Sequence, residues 1–466
     1  MILLLQAAPL ILLAGLLAAR RGPIPAVAAA IAASLPAAWV TLPESIALPG
    51  FLAAEMPRAL WLAFIPTAVV TGGLALHDGL AARRVAPPPL ADSDPLFTAA
   101  FLLGPFAENL TGFGVGVVFA LGAARRAGLS GAPSVAIALF ALVLVPWGGL
   151  GPGTVLGAAL AHVPVQDMAL RTALCSAVWL LPMLALFWRI AARAGRPVPP
   201  SRRMTQCGWV VALGALLTGA HLVLPFEVAG LAATGPLLAI RLARGLDLRR
   251  PEVRRGAFGA AWPYATLAAV LLATRFWSTA PTLGPFADLP DFPLTHAAVV
   301  LWIASLTLLF RDGHGARRLA TVLRRAARPA LTILLYVVFA RLMAASGTST
   351  ALATAFAGAF GTAAPYAAPL LGVAAGLVAG TNVGSNATMM PIQAALGRLA
   401  GLPAPLLPAV QNFTGSSSCL LAPQMLAVAT ALTPSSERPS PAAIWRLMWP
   451  ALPATVAVGL AAVALG

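Results

Sequence analysis

The residues best placed to do chemistry are polar groups stranded in apolar sequence. The stretch Ala379-Gly-Thr-Asn-Val-Gly-Ser-Asn-Ala-Thr-Met-Met-Pro391 lies inside an otherwise apolar run over 366–396. In lipid, Thr381, Asn382, Ser385, Asn386 and Thr388 each cost free energy unless they find a partner or line a wet cavity. Gly380 and Gly384 loosen a helix there, and Pro391 removes a backbone donor just beyond. The pattern predicts a broken or re-entrant segment whose helix ends and amides face a substrate. A Gly/Ser/Thr-rich packing seam between membrane helices is the competing reading. A second polar stretch, Glu108-Asn109-Leu110-Thr111, stands in the run over 96–124. It echoes Ser385-Asn386-Ala387-Thr388, with each polar position 277 residues from its counterpart.

Two further interruptions follow these runs. One is Val145-Pro-Trp-Gly-Gly-Leu-Gly-Pro-Gly-Thr154; the other spans Gln411 to Gln424 and contains Asn412, Thr414, Ser416 and Pro423. Pro and Gly clusters interrupt the hydrogen-bond ladder and leave helix N-termini with unpaired N–H groups and a partial positive charge. Two tips and two breaks at mid-membrane would make an anion cradle, whereas simple helix kinks would make none.

Two charges stand in the same setting. Glu108 reads as the one acidic residue well inside an apolar run, and an intramembrane carboxyl is a functional hypothesis by default. A low-dielectric site favours the protonated form of such a group, which suits one that binds and releases a proton during transport. The bland counterpart is a Glu hydrogen-bonded across its hairpin for structure alone. Arg341 lies 13 residues after Arg328 on one continuous helical pattern, roughly 20 Å into a core about 30 Å thick. It could clamp a substrate carboxylate, snorkel to the outer interface, or pair with Glu108.

The elements that must position these groups are membrane helices. The chain has 466 residues, 59% hydrophobic and 9% charged, against roughly 25% charged in soluble domains, so a soluble reading is excluded. Apolar runs of spanning length occur near 3–19, 23–41, 59–77, 133–161, 168–188, 207–224, 228–240, 257–274, 296–310, 329–346, 405–432 and 447–465. The expected fold is therefore all-α and polytopic, with about 12 transmembrane helices plus re-entrant hairpins at 96–124 and 366–396. With both hairpins entering and leaving by one face, 25 of the 30 arginines fall in cytoplasmic loops, as the positive-inside rule asks. The same choice yields an inverted-topology repeat: a first unit over 1–203, a two-helix connector over 204–256, and a second unit over 257–466.

At these four places the chain resembles the lactate/glycolate permease family. Leu103-Gly-Pro-Phe-Ala-Glu-Asn-Leu-Thr-Gly-Phe-Gly114 is similar to that family's F-x-E-G-x-x-G-F-G stretch, with Glu108 and Gly112-Phe113-Gly114 in register. Gly380-Thr-Asn-Val-Gly-Ser-Asn-Ala387 is similar to its G-S-N-x-x-S-N-A. Asn412-Phe-Thr-Gly415 and Pro423-Gln424 resemble its N-T-T-G and S-P-Q elements. The resemblance implies a monocarboxylate:proton symporter of the inner membrane, carrying short 2-hydroxy acids such as lactate or glycolate. Asn109 stands where the family has Gly. Where the family carries a Lys shortly before its Pro-Gln, this chain has Cys419 and Leu420. The Ser-Asn-x-Thr tip also resembles the hairpin motifs of sodium-coupled dicarboxylate carriers, so the coupling ion is open between proton and sodium.

The candidate substrate-binding set is Asn109, Thr111, Arg341, Thr381, Asn382, Ser385, Asn386, Thr388, Asn412, Thr414, Ser416 and Gln424, with Glu108 for the coupling ion. The expected partners are a small organic anion, a coupling ion and membrane lipid; oligomeric state is open. A net charge of +16 would suggest nucleic acid in a soluble chain. Here it reads as basic loops at a membrane surface. Cys175, Cys207 and Cys419 offer neither a disulfide framework nor metal-ligand spacing, and no cofactor motif occurs. No Ser/His or paired-Asp arrangement and no H-E-x-x-H motif points to an enzyme. An ion channel is the remaining class to set against a carrier.

Overall fold

The computed structural model describes residues 1–81, 94–112, 114–245, 250–277, 279–312 and 314–466, nearly all of them helical. Proline opens many of the helices: Pro23, Pro95, Pro152, Pro200, Pro251, Pro423 and Pro441 each take the first helical position. A residue there needs no N–H, and its φ is already helical. A two-residue antiparallel ladder, Thr282–Leu283 with Phe292–Pro293, is the sheet structure among the described residues.

Each of the twelve apolar runs falls on a helix or a broken helix. Among the described residues, seven helices are long and apolar enough to cross a bilayer. Pro441–Met448 with Ala451–Leu465 makes an eighth if the 44° bend between them lies within one span. The chain is thus a multi-pass membrane protein.

Two stretches differ from the sequence expectation. The third helix is Leu48–Ala81 rather than 59–77, which brings Glu55 into a helix. Glu108 is therefore not the only acid in the apolar part of the chain. A helix not anticipated, Thr348–Phe360, follows Gly315–Ala345. At 13 residues it is shorter than a bilayer span. At Gly361 (φ 55°) the chain turns out of it toward the second hairpin.

Gly315–Ala345 lies along Leu48–Ala81 and Pro23–Thr41, while Val165–Arg193 packs on Pro200–Val223. Both polar runs over 96–124 and 366–396 are interrupted and turn back on themselves. The first consists of a helical arm over 95–111, π-helical at Ala99–Leu103, and a second arm, Val115–Arg126. Between them Gly112 and Gly114 hold φ of 68° and 78°, a conformation in which a Cβ would be strained. The arms approach so closely that a Cβ on Gly116 would collide with the carbonyl oxygen of Gly104.

The second hairpin consists of Ala368–Ala379 and Asn382–Leu399, joined through Gly380 at φ 68°. Its far ends are tied by Gln393 Nε2, which donates to Ala368 O at 3.2 Å.

The two breaks are built differently. In the first, Gly149, Leu150 and Gly151 all take positive φ before the helix Pro152–Ala161 begins. In the second, Leu406–Cys419 runs unbroken through Asn412 and Gly415, and the interruption falls at 420–422, before Pro423–Ala431. That interruption lies at the far end of the expected stretch over 411–424; before it the hydroxyls bond their own helix, Thr414, Ser416 and Ser418 donating to Val410 O, Asn412 O and Thr414 O, each four residues back. Lipid tails provide no hydrophobic drive between helices, so close van der Waals packing must hold them. Glycine supplies it here: a Cβ on Gly376 would overlap Gly415 O and Ser418 Oγ.

Candidate functional site

The amides of the second tip, the second broken segment and the first break converge on one network. Thr381 caps the helix Asn382–Leu399, its Oγ1 accepting from Gly384 N at 3.0 Å. One turn inside, Asn386 Nδ2 donates to Gly153 O (2.9 Å) and to Asn412 Oδ1 (2.8 Å). Asn382 Nδ2 reaches the same Asn412 oxygen at 3.2 Å and Thr154 Oγ1 at 3.4 Å. Thr154 donates to Asn412 Oδ1 at 3.1 Å and to Pro146 O at 2.7 Å, while Asn412 Nδ2 donates to Thr172 Oγ1 at 3.2 Å.

Asn412 is therefore the hub, and all five side chains are buried. The capacity left over is informative: Asn382 Oδ1 and Asn386 Oδ1 are buried acceptors with no partner. Buried polar groups are nearly always paired; the amide oxygens of Gln393, Gln411 and Gln424 are unpaired too, and Asn382 and Asn386 differ from them in standing in the first turns of Asn382–Leu399.

The other candidates divide by how their side chains are spent. Ser385 accepts from Gln411 Nε2 at 3.0 Å, and Gln424 Nε2 donates to Val378 O at 3.0 Å beneath Gly380. Thr111, Thr388, Thr414 and Ser416 give their hydroxyl protons to carbonyls of their own helices, which leaves them as acceptors. Much of the Gly/Ser/Thr pattern is thus the packing seam, with the asparagines standing out from it.

The first hairpin meets the same break from the other side. Gly112 lies against Gly149, and Gly148 lies beside the Glu108 side chain; further along the break, Gly153 meets Asn382 and Val383 of the second tip. Glu108 is buried, its Oε1 accepting from Gly114 N at 3.1 Å and its Oε2 from Gly116 N at 3.0 Å. A carboxylate so placed caps the N-terminus of Val115–Arg126, where the helix dipole favours negative charge. Asn109 is buried against Gly230 and Trp147 with neither end of its amide paired. Phe113 lies outside the described residues.

Arg341 is not part of this network. Its Nε and Nη2 donate to Glu55 Oε2 at 2.9 and 2.5 Å, and Asp288 Oδ2 lies 3.8 Å from Nη2. Asp288 also meets Arg58 at 3.4 Å. His162, at the end of Pro152–Ala161, has its pKa lowered by burial and then by Arg341 and Arg398, with Asp288 opposing. The partner of Arg341 is thus Glu55, neither Glu108 nor open space. Glu55 and Arg58 were visible in sequence, but not that a helix begins at Leu48. Thr172, which anchors the hub, stands with Ser176 in an otherwise apolar stretch of Val165–Arg193 and carried no sequence signal. Among the described residues no group of three or more His, Cys, Asp or Glu could hold a metal ion.

No curated protein sequence matches the chain. Among solved structures it is similar to the YdaH transporter of Alcanivorax borkumensis, described as having an unusual topology. That similarity spans 96% of this chain and 98% of that one, with a TM-score of 0.52 and 15% identity. It also aligns with MtrF of Neisseria gonorrhoeae, described among antimetabolite efflux pumps, over 96% and 95% of the two chains with a TM-score of 0.47 and 13% identity. The first of these likenesses establishes a shared fold. The family profile described as L-lactate permease matches residues 293–463, a stretch that holds the second hairpin, Asn412 and Gln424.

Proposed function

We propose that the chain is a secondary active carrier of small organic monocarboxylates, lactate or glycolate in type, coupled to protons across the inner membrane. The observation that carries this reading is the pair of unpartnered amide oxygens, Asn382 Oδ1 and Asn386 Oδ1, in the first turns of Asn382–Leu399. A 2-hydroxy acid complements them: its hydroxyl donates its one proton to one of the two amide oxygens, and its carboxylate lies toward the positive end of the helix. The family match over 293–463 covers these residues.

In this reading the two halves form inverted units over 1–203 and 257–466, joined by 204–256, and both hairpins enter the bilayer without crossing it. Asn412 and Thr154 tie the second tip to the first break, so substrate binding at Asn382 and Asn386 bears directly on the element against which the first hairpin rests. Glu108 carries the coupled proton. Its ionised form accepts two backbone N–H groups, and protonation weakens that hold on the tip.

Proteoliposomes holding the purified protein test the reading. Internal unlabelled lactate should accelerate entry of labelled lactate, and an inward proton gradient should drive accumulation where a sodium gradient does not. Flux insensitive to internal substrate would mean a channel, and a response to sodium alone would remove the proton from the mechanism.

A further inference from the structure

Tyr336 stands on Gly315–Ala345 with its ring over the second tip: a Cβ on Gly384 would lie 3.0 Å from Tyr336 Cζ. The side chain is 1% exposed, and its hydroxyl has no hydrogen-bond partner. A phenylalanine would fill the same space without burying an unpaired hydroxyl. The place where the hydroxyl is held is the first turn of Asn382–Leu399, beside Thr381 and on the helix that carries the two unpaired asparagine oxygens. Cys419 lies within electrostatic reach, but its thiol donates to Gly415 O at 3.1 Å and is not bonded to the phenol.

A carboxylate leaving water needs fixed donors. The chain has no lysine, and Arg341 is held by Glu55. The asparagine N–H groups of the network are spent on Gly153 O, Thr154 and Asn412. What the tip offers an anion is the end of a helix dipole, which lacks direction, and three hydroxyls not spent as donors: those of Thr381 and Ser385, which already accept from Gly384 N and Gln411 Nε2, and that of Tyr336, which has no partner. We propose that the Tyr336 hydroxyl donates a hydrogen bond to the carboxylate of the transported acid. This rests on the carrier reading above and adds to it the group that orients the acid: carboxylate toward Tyr336, 2-hydroxyl toward Asn382 and Asn386. Gly384 is then required as the position that leaves room for the ring.

The test is Tyr336→Phe in the purified full chain, titrated with lactate and with propionate, which has the carboxylate but no 2-hydroxyl. Thermal unfolding of the same samples is recorded. The variant should unfold at the same or a higher temperature, and its affinity for both acids should fall in parallel by about tenfold to a hundredfold, as for a lost hydrogen bond to a charged group. Unchanged affinity for both acids would overturn the assignment. A loss confined to lactate would overturn it too, by moving the hydroxyl's partner to the 2-hydroxyl. If the wild-type protein binds neither acid, the carrier reading fails, and the proposal with it.

Discussion

Replacing Glu108 by Gln separates the structural and coupling roles of one side chain. In the folded protein each carboxylate oxygen accepts one backbone N–H, from Gly114 at 3.1 Å and from Gly116 at 3.0 Å. A glutamine offers one acceptor and one amide donor, so one of the two N–H groups then faces a donor. Loss of that charge-assisted bond costs roughly 1.5–3 kcal/mol, enough to lower thermal stability but small beside the packing of the two arms at Gly104 and Gly116. The functional consequence is separate. With one proton moved per acid, each pH unit of gradient supplies about 1.4 kcal/mol, which supports about tenfold accumulation. The neutral amide cannot cycle a proton. Glu108→Gln should therefore keep lactate exchange at equal internal and external pH and lose the tenfold accumulation under a one-unit gradient. Labelled-lactate uptake into proteoliposomes reads both. A variant that still concentrates lactate on the gradient would show that Glu108 only fastens the hairpin.

Arg341→Gln strands Glu55, whose side chain is 12% exposed, and should destabilise the protein by about 3–5 kcal/mol; Glu55→Gln in the same chain should restore much of that in thermal unfolding. Gly380→Ala adds a Cβ 2.8 Å from Gln424 Oε1 at a φ of 68°, and should cost about 1–2 kcal/mol from backbone strain, read in the same way. For His162 the folded state disfavours the proton relative to the ordinary value of 6.5, so the unfolded chain binds more protons as pH falls through that value. Stability should decline below pH 6.5, and His162→Gln should flatten that part of the stability–pH curve.

The interruptions were legible in the sequence because Gly, Pro and Asn in apolar runs have few uses other than turning a chain or lining a site. Both hairpins and the first break fall where those residues stand. The second break falls only at 420–422, the far end of its expected stretch over 411–424, because a hydroxyl can bond its own helix and leave the ladder intact, as Thr414 and Ser416 do. Sequence cannot distinguish that use of a serine from a ligand contact. The fate of Arg341 was hidden by distance along the chain: Glu55 lies 286 residues away, outside the apolar run expected over 59–77. Thr348–Phe360 escaped notice because its 13 residues are fewer than a bilayer span requires. The hub at Asn412 depends on residues from four separate segments, a convergence visible only once the chain is folded.

The central claim is that Asn382 and Asn386, held by Asn412, form the substrate site. Isothermal titration of the purified protein with lactate, beside Asn386→Ala, tests it most directly. Asn386→Ala should remain folded, since Gly153 O and Asn412 Oδ1 lose one donor each but Asn412 keeps Thr154 and Asn382. Its affinity should fall by about tenfold, as for one lost hydrogen bond near the upper end of the neutral range. Wild-type affinity in a folded Asn386→Ala protein would contradict the account and place the site elsewhere.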